Sequence, residues 1–228
     1  KEAQKKLNLP RNPRDYTSIA VTTDDSNDEI VYASSMGDGV IQYKNGTPVQ
    51  SYNEKNAFKE TAGGYGSGYC YIDGLAFDKN GNLWMTSSEV NHAVLVLDKA
   101  GAWHRLDIEQ LRGVYTINDI LITSTNDKWI YVPRNTPKLV MIPNSESLDE
   151  VSSYEFTTLI DTDGKELTPS NYTCVAEDKD GYIWVGTNRG AVYFTKPRIS
   201  STEDKAATRC TRVKYTNEET GNLAYFLD

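Results

Sequence analysis

The chain has 228 residues, with 24 Lys and Arg against 32 Asp and Glu, which gives a net charge of −8. This acidic balance argues against nucleic-acid binding, because neutralising phosphates requires a basic face. No apolar stretch approaches the roughly 20 residues of a membrane span. Hydrophobic residues make up 38% and aromatic residues 11% of the chain, so we expect an acidic, tyrosine-rich β protein that can still bury a sizeable core.

Two stretches in the first half of the chain share a strand–turn–strand pattern. In the first, the β-rich runs Ser18–Thr22 and Ile30–Ala33 flank an acidic turn over Asp24–Glu29. In the second, an apolar run ends at the turn Asp78–Gly81 (Asp-Lys-Asn-Gly), and the apolar strand Leu83–Met85 follows. Asp and Asn favour turns and Gly readily takes positive φ, so each stretch predicts a β-hairpin.

Two further copies of the pattern follow in the second half. The third copy is loose, with a polar turn over Asn126–Lys128 that leads into the strand Trp129–Val132. The fourth is the most regular, with the strand Tyr172–Glu177, the turn Asp178–Gly181 (Asp-Lys-Asp-Gly) and the strand Tyr182–Thr187. A Trp follows the turn in three of the four copies, which indicates a true repeat.

The spacing of the copies predicts the fold. Counting from Ala20 to Ala76, on to Leu121 and on to Ala176 gives spacings of 56, 45 and 55 residues, near the roughly 40–50 residues of propeller repeats. The expected third strands are, in chain order, Val40–Tyr43, Ala93–Asp98, Lys138–Ile142 and Ala191–Thr195. A fourth strand is expected over Thr208–Tyr215, after a polar link. Four antiparallel strands per unit define a propeller blade, whereas a β-sandwich does not explain why turn and Trp recur together.

We therefore predict an all-β chain, a β-propeller segment made of four-stranded antiparallel blades over residues 1–228. The approximate blades are 15–70, 71–114, 115–170 and 171–228. Propellers of six to eight blades need roughly 300–400 residues, so we expect a fragment of a larger propeller rather than a closed four-bladed ring. Helix is expected only at Ile108–Arg112 and Glu2–Leu7.

Residues 172–193 closely resemble the two-component regulator propeller repeat. That repeat reads as an apolar strand, an acidic residue with Asp-x-x-Gly, an apolar–Trp–apolar strand, and Gly-Thr-x-x-Gly before another apolar strand. The segments Glu177–Gly181 and Gly186–Gly190, with Trp184 between them, supply these positions. Other copies depart from the pattern, because Thr86-Ser87 and Pro133-Arg134 stand where Gly-Thr is expected.

This resemblance carries expectations about function. The family includes sensor domains of hybrid histidine kinases and PorZ-like propeller proteins associated with type IX secretion, in Bacteroidetes-type bacteria. It implies a location outside the cytoplasm, in the periplasm or at the outer-membrane surface, and a non-catalytic role in sensing or surface recognition. The expected partners are a saccharide or other anionic ligand, a protein, or further propeller segments of a longer chain. No nucleic acid, membrane span or cofactor is expected.

Blade geometry predicts where a ligand would bind. The start of the innermost strand and the turn between the second and third strands lie on one face of a blade, here called the rim. The candidate ligand-binding residues on the rim are Asp73, His92, Asn118, Arg134, Lys138, Asn171 and Arg189. Their basic members suit a carboxylate, sulfate or phosphate group. The acidic turns Asp24–Glu29 and Asp178–Asp180 are expected on the opposite face, and scattered solubilising charges are an equally good explanation of the pattern.

Two features of the sequence could indicate a metal site, an acidic turn and the two histidines. Asp178–Gly181 begins like a calcium loop, but the twelfth position is Arg189 rather than Glu, and turn formation alone explains these residues. His92 and His104 lack zinc-like spacing. No metal is therefore predicted. The alternative function is a propeller lyase or lactonase with a central divalent ion, for which Asp73 and Asn118 hold comparable positions.

The cysteines and tryptophans are both interpreted as structural. The chain has three cysteines, Cys70, Cys174 and Cys210. An odd number prevents complete pairing, and we expect all three to be buried as small hydrophobes. Trp residues recur in the second strand of three copies, so we expect these to pack between neighbouring blades, while Trp103 lies outside the pattern and could be exposed.

Overall fold

The computed structural model describes residue 7 and residues 15–59, 68–218 and 220–225. The chain separates into two compact units. Unit 1 comprises Lys1–Ile120 with Ser147–Glu150, and unit 2 comprises Leu121–Glu146 with Val151–Asp228. The predicted helix Glu2–Leu7 lies outside the described residues except for its last position. No described helix is long and apolar enough to cross a membrane.

Unit 1 contains the first two antiparallel meanders. Their strands are β1 (Tyr16–Thr23), β2 (Glu29–Gly37), β3 (Gly39–Lys44), β4 (Thr47–Tyr52), β5 (Cys70–Phe77), β6 (Leu83–Ser87), β7 (Val94–Leu97) and β8 (Trp103–Leu106). The strand order is β4-β3-β2-β5-β6-β7-β8, and β1 pairs with β2. The two meanders are joined where Met36 and Gly37 of β2 pair with the start of β5. The expected helix at Ile108–Arg112 is a 3-10 turn over Glu109–Leu111.

Apolar faces of both meanders form the core of unit 1. Val40 and Ile72 are fully buried in it, and Trp103 packs partly buried against it. The Trp103 ring lies edge-on to Tyr52 and to Phe58, with ring centroids 5.4 Å apart in each case. The sequence did not predict whether Trp103 is buried or exposed, and the structure shows it as part of an aromatic cluster.

The strands of the second half continue the same pattern. Their bounds are β9 (Ile120–Ile122), β10 (Lys128–Val132), β11 (Lys138–Ile142), β12 (Tyr154–Phe156), β13 (Leu159–Ile160), β14 (Glu166–Leu167), β15 (Tyr172–Glu177), β16 (Tyr182–Thr187), β17 (Gly190–Thr195), β18 (Cys210–Arg212), β19 (Lys214–Thr216) and β20 (Leu223–Tyr225). Four-stranded sheets run in the orders β12-β11-β10-β9 and β15-β16-β17-β18, and β13–β14 and β19–β20 form separate pairs.

The core of unit 2 is aromatic. Trp129 of β10 lies 5.9 Å from the Phe156 ring and 5.5 Å from the Phe194 ring, measured between centroids. Phe194 belongs to β17, so this Trp packs against the neighbouring sheet, as predicted. Tyr172 is fully buried in the same cluster. Burying each such side chain contributes about 1.5–3 kcal/mol.

Two elements of the fourth meander differ from the sequence prediction. The expected strand Thr208–Tyr215 is split, because β18 pairs with β17 whereas β19 pairs with β20. The polar link before it contains a short helix, α1 (Thr202–Ala207). Its N-cap is Ser201, whose hydroxyl accepts a hydrogen bond from the Asp204 amide at 3.0 Å. This capping pattern is the sequence signal that identifies the helix.

A single turn geometry explains the recurring Asp and Gly residues. In the turn after β15, Asp178 Oδ1 accepts hydrogen bonds from the amides of Asp180 and Tyr182, both at 2.9 Å. Gly181 takes φ +79°, and its amide donates to the Asp178 carbonyl. The same carboxylate–amide pattern recurs at Asp24, Asp78 and Asp161.

The recurring Trp belongs to this turn. The Trp84 indole donates to Asp78 Oδ2 at 2.9 Å, and the Trp184 indole donates to Asp178 Oδ2 at 2.8 Å. We call this arrangement the Asp–Trp clasp. It accounts for the constant six-residue offset between Asp and Trp and uses the carboxylate oxygens without a metal ion.

Candidate functional site

In unit 1, two predicted rim residues belong to one hydrogen-bonded network. The Ser88 hydroxyl donates to Asp73 Oδ2 at 2.7 Å and accepts from the Ile117 amide at 2.8 Å. The Thr86 hydroxyl donates to the Asn118 carbonyl at 2.9 Å. Thr86 and Ser88 therefore hold the start of β5 beside the segment that contains Asn118.

Thr86 and Ser88 were not among the site residues predicted from the sequence. A signal for them was present, since Thr86-Ser87 departs from the Gly-Thr of the regular repeat. The hydroxyl of Thr86 also accepts a hydrogen bond from the Gly74 amide at 2.9 Å. Gly74 itself is needed here, because a Cβ at this position would lie 2.8 Å from the Ile120 nitrogen.

Asp73 is held in an environment that favours its neutral form. Burial raises the pKa of Asp73 to about 7, although hydrogen bonds from the Ser88 hydroxyl and amide oppose the shift. Burial also raises the pKa of Asp119. A neutral Asp73 can donate as well as accept a hydrogen bond.

His92 lies near a different charged group. Arg112 binds Asp107 bidentately, with N–O distances of 2.6 and 2.5 Å. The Arg112 hydrogen bonds lower the pKa of Asp107, and a weaker electrostatic interaction with His92 acts in the same direction. The structure thus associates His92 with the Asp107–Arg112 pair.

In unit 2, backbone pairing brings three rim turns side by side. The Tyr172 amide donates to the Pro133 carbonyl at 3.0 Å. Asn188 Oδ1 accepts from the Asn171 amide at 3.1 Å, and the Asn188 amide donates back to the Asn171 carbonyl at 3.1 Å. Arg134 and Arg189 each follow a member of this row in sequence. Both arginine side chains are exposed.

The rim residues of unit 2 differ in whether their side chains already have a partner within the protein. Lys138 Nζ forms an ion pair with Glu155 Oε2 at 2.8 Å, so its charge is compensated locally. Arg134 and Arg189 form no ion pair within the described part of the chain. Asn171 Oδ1 is a buried acceptor without a hydrogen-bond partner among the described residues.

The acidic turn of the first meander is partly neutralised by one lysine. Lys44 Nζ lies 2.7 Å from Asp24 Oδ2 and 2.8 Å from Asp28 Oδ2. Hydrogen bonds from Lys44 lower the pKa of both carboxyl groups. This cluster is a structured turn with its own counter-charge. Across the described residues, no group of three or more His, Cys, Asp and Glu side chains is arranged to hold a metal ion.

Two predictions about buried side chains need correction. Cys70 and Cys210 are buried, but Cys174 is exposed, as is its neighbour Thr173 on the same strand. The prediction that Trp184 packs between neighbouring blades also needs correction. Trp184 is 36% exposed, whereas Trp84 and Trp129 are 1% exposed, and its ring contact is with Tyr193 of its own sheet at 4.8 Å.

One part of the sequence matches a known family. Residues 166–189 match the model of the family described as "Two component regulator propeller". Among curated proteins, none matches the sequence.

Solved structures share the fold over nearly the whole chain. PorZ, a surface component of the type-IX secretion system of Porphyromonas gingivalis, aligns with a TM-score of 0.78 at 20% identity, over 99% of this chain and 30% of PorZ. The extracellular domain assigned to the hybrid two component system BT3049 of B. thetaiotaomicron aligns with a TM-score of 0.52 at 14% identity, over 90% of this chain and 26% of that one. The extracellular domain assigned to the one component system BT4673 of the same organism aligns with a TM-score of 0.54 at 15% identity, over 81% of this chain and 22% of that one.

This chain therefore spans less than a third of the length of each of these structures. The predicted all-β propeller fold is confirmed. The chain carries a repeat of the two-component regulator propeller family and has the propeller fold of PorZ and of these extracellular domains.

Proposed function

We propose that this chain is a non-catalytic recognition segment of a propeller protein located outside the cytoplasm. Its ligand is a saccharide or related molecule with a carboxylate, sulfate or phosphate group, bound at the rim of unit 2. The observation that carries the proposal is the pair of exposed side chains, Arg134 and Arg189, on turns joined through Tyr172 and Asn188. The fold shared with extracellular sensor domains and with a bacterial surface protein supports the location.

The chemistry of the rim fits an oxyanion. A guanidinium group presents parallel N–H donors that match two oxygens of a carboxylate, sulfate or phosphate. Hydrogen bonds to charged groups contribute about 1.5–3 kcal/mol each, so two arginines suffice for micromolar to millimolar binding. Asn171 adds an amide at the same place. In unit 1, the predicted rim residues Asp73, His92 and Asn118 are proposed as a separate binding surface, with neutral Asp73 suited to a sugar hydroxyl.

Titration calorimetry with a panel of uronic-acid and sulfated oligosaccharides tests this function. The R134Q/R189Q double variant should weaken binding at least tenfold, because both bidentate contacts are lost. The charge-matched control is K165Q/R209Q, which removes two exposed positive charges elsewhere in unit 2 and should leave binding unchanged.

Two results would contradict the proposal. One is equal affinity in R134Q/R189Q and wild type, which would place any binding elsewhere. The other is turnover of the saccharides or of lactones by the wild-type chain, which would favour the lyase or lactonase alternative.

A further inference from the structure

A cavity lies at the end of the unit 2 strands opposite to the rim. It has a volume of about 280 Å³ and is lined by the turns after β9, β15 and β17. Its apolar wall includes Trp129 and Ile183, which are 1% and 2% exposed. We call this cavity the lower groove. Its volume is at the small end of the range for ligand pockets, so its occupant is a small molecule or a single chemical group.

The acidic side chains that line the groove are mostly engaged within the protein. Both carboxylate oxygens of Glu177 accept hydrogen bonds from Ser124, one from its amide and one from its hydroxyl, each at 2.5 Å. Asp127 accepts from the Thr125 hydroxyl and from the Asn144 amide. Among the lining acids, only Asp180 has an exposed carboxylate that accepts no hydrogen bond from the described residues.

The basic side chains of the groove make no such contacts. Lys179, Lys196 and Arg198 are exposed and line the cavity. None of the three makes an ion pair within the ranges that the structure describes. The cavity is partly open, and three basic side chains face three acidic ones in its lining. Because none of the basic groups is held in an ion pair, they can attract an anion, and the low-polarity wall strengthens the attraction.

The backbone positions Lys196 for this role. Lys196 has φ +45°, a left-handed conformation that is uncommon for a residue with a side chain. Its aliphatic chain passes over Gly181, where a Cβ would lie 3.6 Å from Lys196 Cε. The glycine of the repeat turn therefore leaves room for the lysine at the groove, and strained backbone of this kind is typical of functional positions.

The equivalent cavity of unit 1 lacks this charge arrangement. It has a volume of about 460 Å³, and Lys99 lies over Gly81 as Lys196 lies over Gly181. However, Lys44 in that cavity is bound by Asp24 and Asp28. The residue two positions after Lys99 is Gly101, so no counterpart of Arg198 follows.

We infer that the lower groove of unit 2 is a binding site for a small oxyanion, through Lys196 and Arg198. The ligand carries a carboxylate, sulfate or phosphate group, either as the free ion or on a sugar acid or sugar phosphate. This site is separate from the proposed rim site and does not depend on it.

NMR titration of the ¹⁵N-labelled chain with inorganic sulfate, inorganic phosphate and glucuronate tests the inference. Saturable shifts are expected at the amides of Ser124 and Gly181, which border the groove. K196Q/R198Q should weaken the binding at least tenfold. D180N should tighten it two- to fivefold, because it removes a negative charge from the site while keeping the backbone amide that the turn needs.

Matched variants keep the test independent of folding and of the rim. K99Q, in the equivalent place of unit 1, and R134Q/R189Q should leave the shifts of Ser124 and Gly181 unchanged. Tighter binding of glucuronate than of the inorganic ions would identify a sugar acid, and the reverse order a free oxyanion. Absence of saturable shifts with all three probes, or equal affinity in K196Q/R198Q and wild type, would overturn the inference.

Discussion

The second and fourth meanders contain the same Asp–Trp clasp but bury it to different extents. In both, an indole N–H donates to the Oδ2 atom of an Asp six residues earlier, at 2.9 and 2.8 Å. Yet Trp84 is 1% exposed and Trp184 is 36% exposed. The hydrogen bonds depend on residues close in sequence, whereas the exposure depends on which other parts of the protein cover each face. One motif thus contributes differently to stability in its two places.

The largest expected effect comes from truncating the two tryptophans. W84A should cost about 3–5 kcal/mol of unfolding free energy, because it opens a cavity in a packed region and removes a donor from a buried carboxylate. W184A should cost about 1–2 kcal/mol, since water already reaches the ring. Urea denaturation followed by circular dichroism measures both. Equal losses would show that exposure does not set the contribution of the clasp.

The next effect is a difference in pH dependence: the carboxyl groups of Asp73 in the second meander and Asp178 in the fourth should change the stability of the protein in opposite directions as pH rises. The folded-state pKa of Asp73 is raised to about 7, so the stabilisation linked to its protonated form is present below about pH 4 and lost as pH rises through 7. D73N stays neutral, and its stability relative to wild type should therefore increase by about 2–4 kcal/mol between pH 4 and pH 8.

Asp178 should show the opposite sign. The Trp184 indole and turn amides lower its pKa, so its contribution is present above its ordinary pKa and lost as pH falls below about 4. D178N should be less stable than wild type at neutral pH and converge with it in acid. Denaturation curves of both variants across this pH range provide the measurement, and parallel pH profiles would contradict the assignment.

The smallest effect should be the same in both meanders. Gly81 and Gly181 have φ values of +84° and +79°, and nothing closer than 3.5 Å surrounds either Cβ position. G81A and G181A should each cost about 1–2 kcal/mol, the penalty of a left-handed residue with a side chain. Thermal unfolding of the pair checks this, and a large difference would mean that the turns are not equivalent.

Local features of the fold were predictable because turn chemistry acts over few residues. The hairpin at Asp178–Gly181 follows from an Asp that accepts nearby amides and a Gly that takes positive φ. The third strand Lys138–Ile142 matches β11 residue for residue, since a continuous apolar run between polar turns defines it. The helix α1 was missed because its residues face solvent, so that no apolar periodicity marks it.

Features of the candidate sites were less predictable. Arg134 and Arg189 were selected from the expected topology, and their neighbourhood depends on pairing between Pro133, Tyr172 and Asn188, which are distant in sequence. The lower groove was missed altogether. Two of its cations, Lys196 and Arg198, follow β17, while its walls come from the turns after β9 and β15. The acidic turn at 178–180 suggested a purely acidic face.

The amino-acid sequence by itself determined the repeated unit, its Asp–Gly turns and the six-residue spacing of the clasp, because these interactions close within a few residues of chain. Only the tertiary structure decided which copy of each residue is buried, compensated or free. Trp84 and Trp184 occupy related positions in the repeat, yet their surroundings are formed by segments far away in sequence. Packing and charge pairing over such distances set their energies, and no local pattern encodes them.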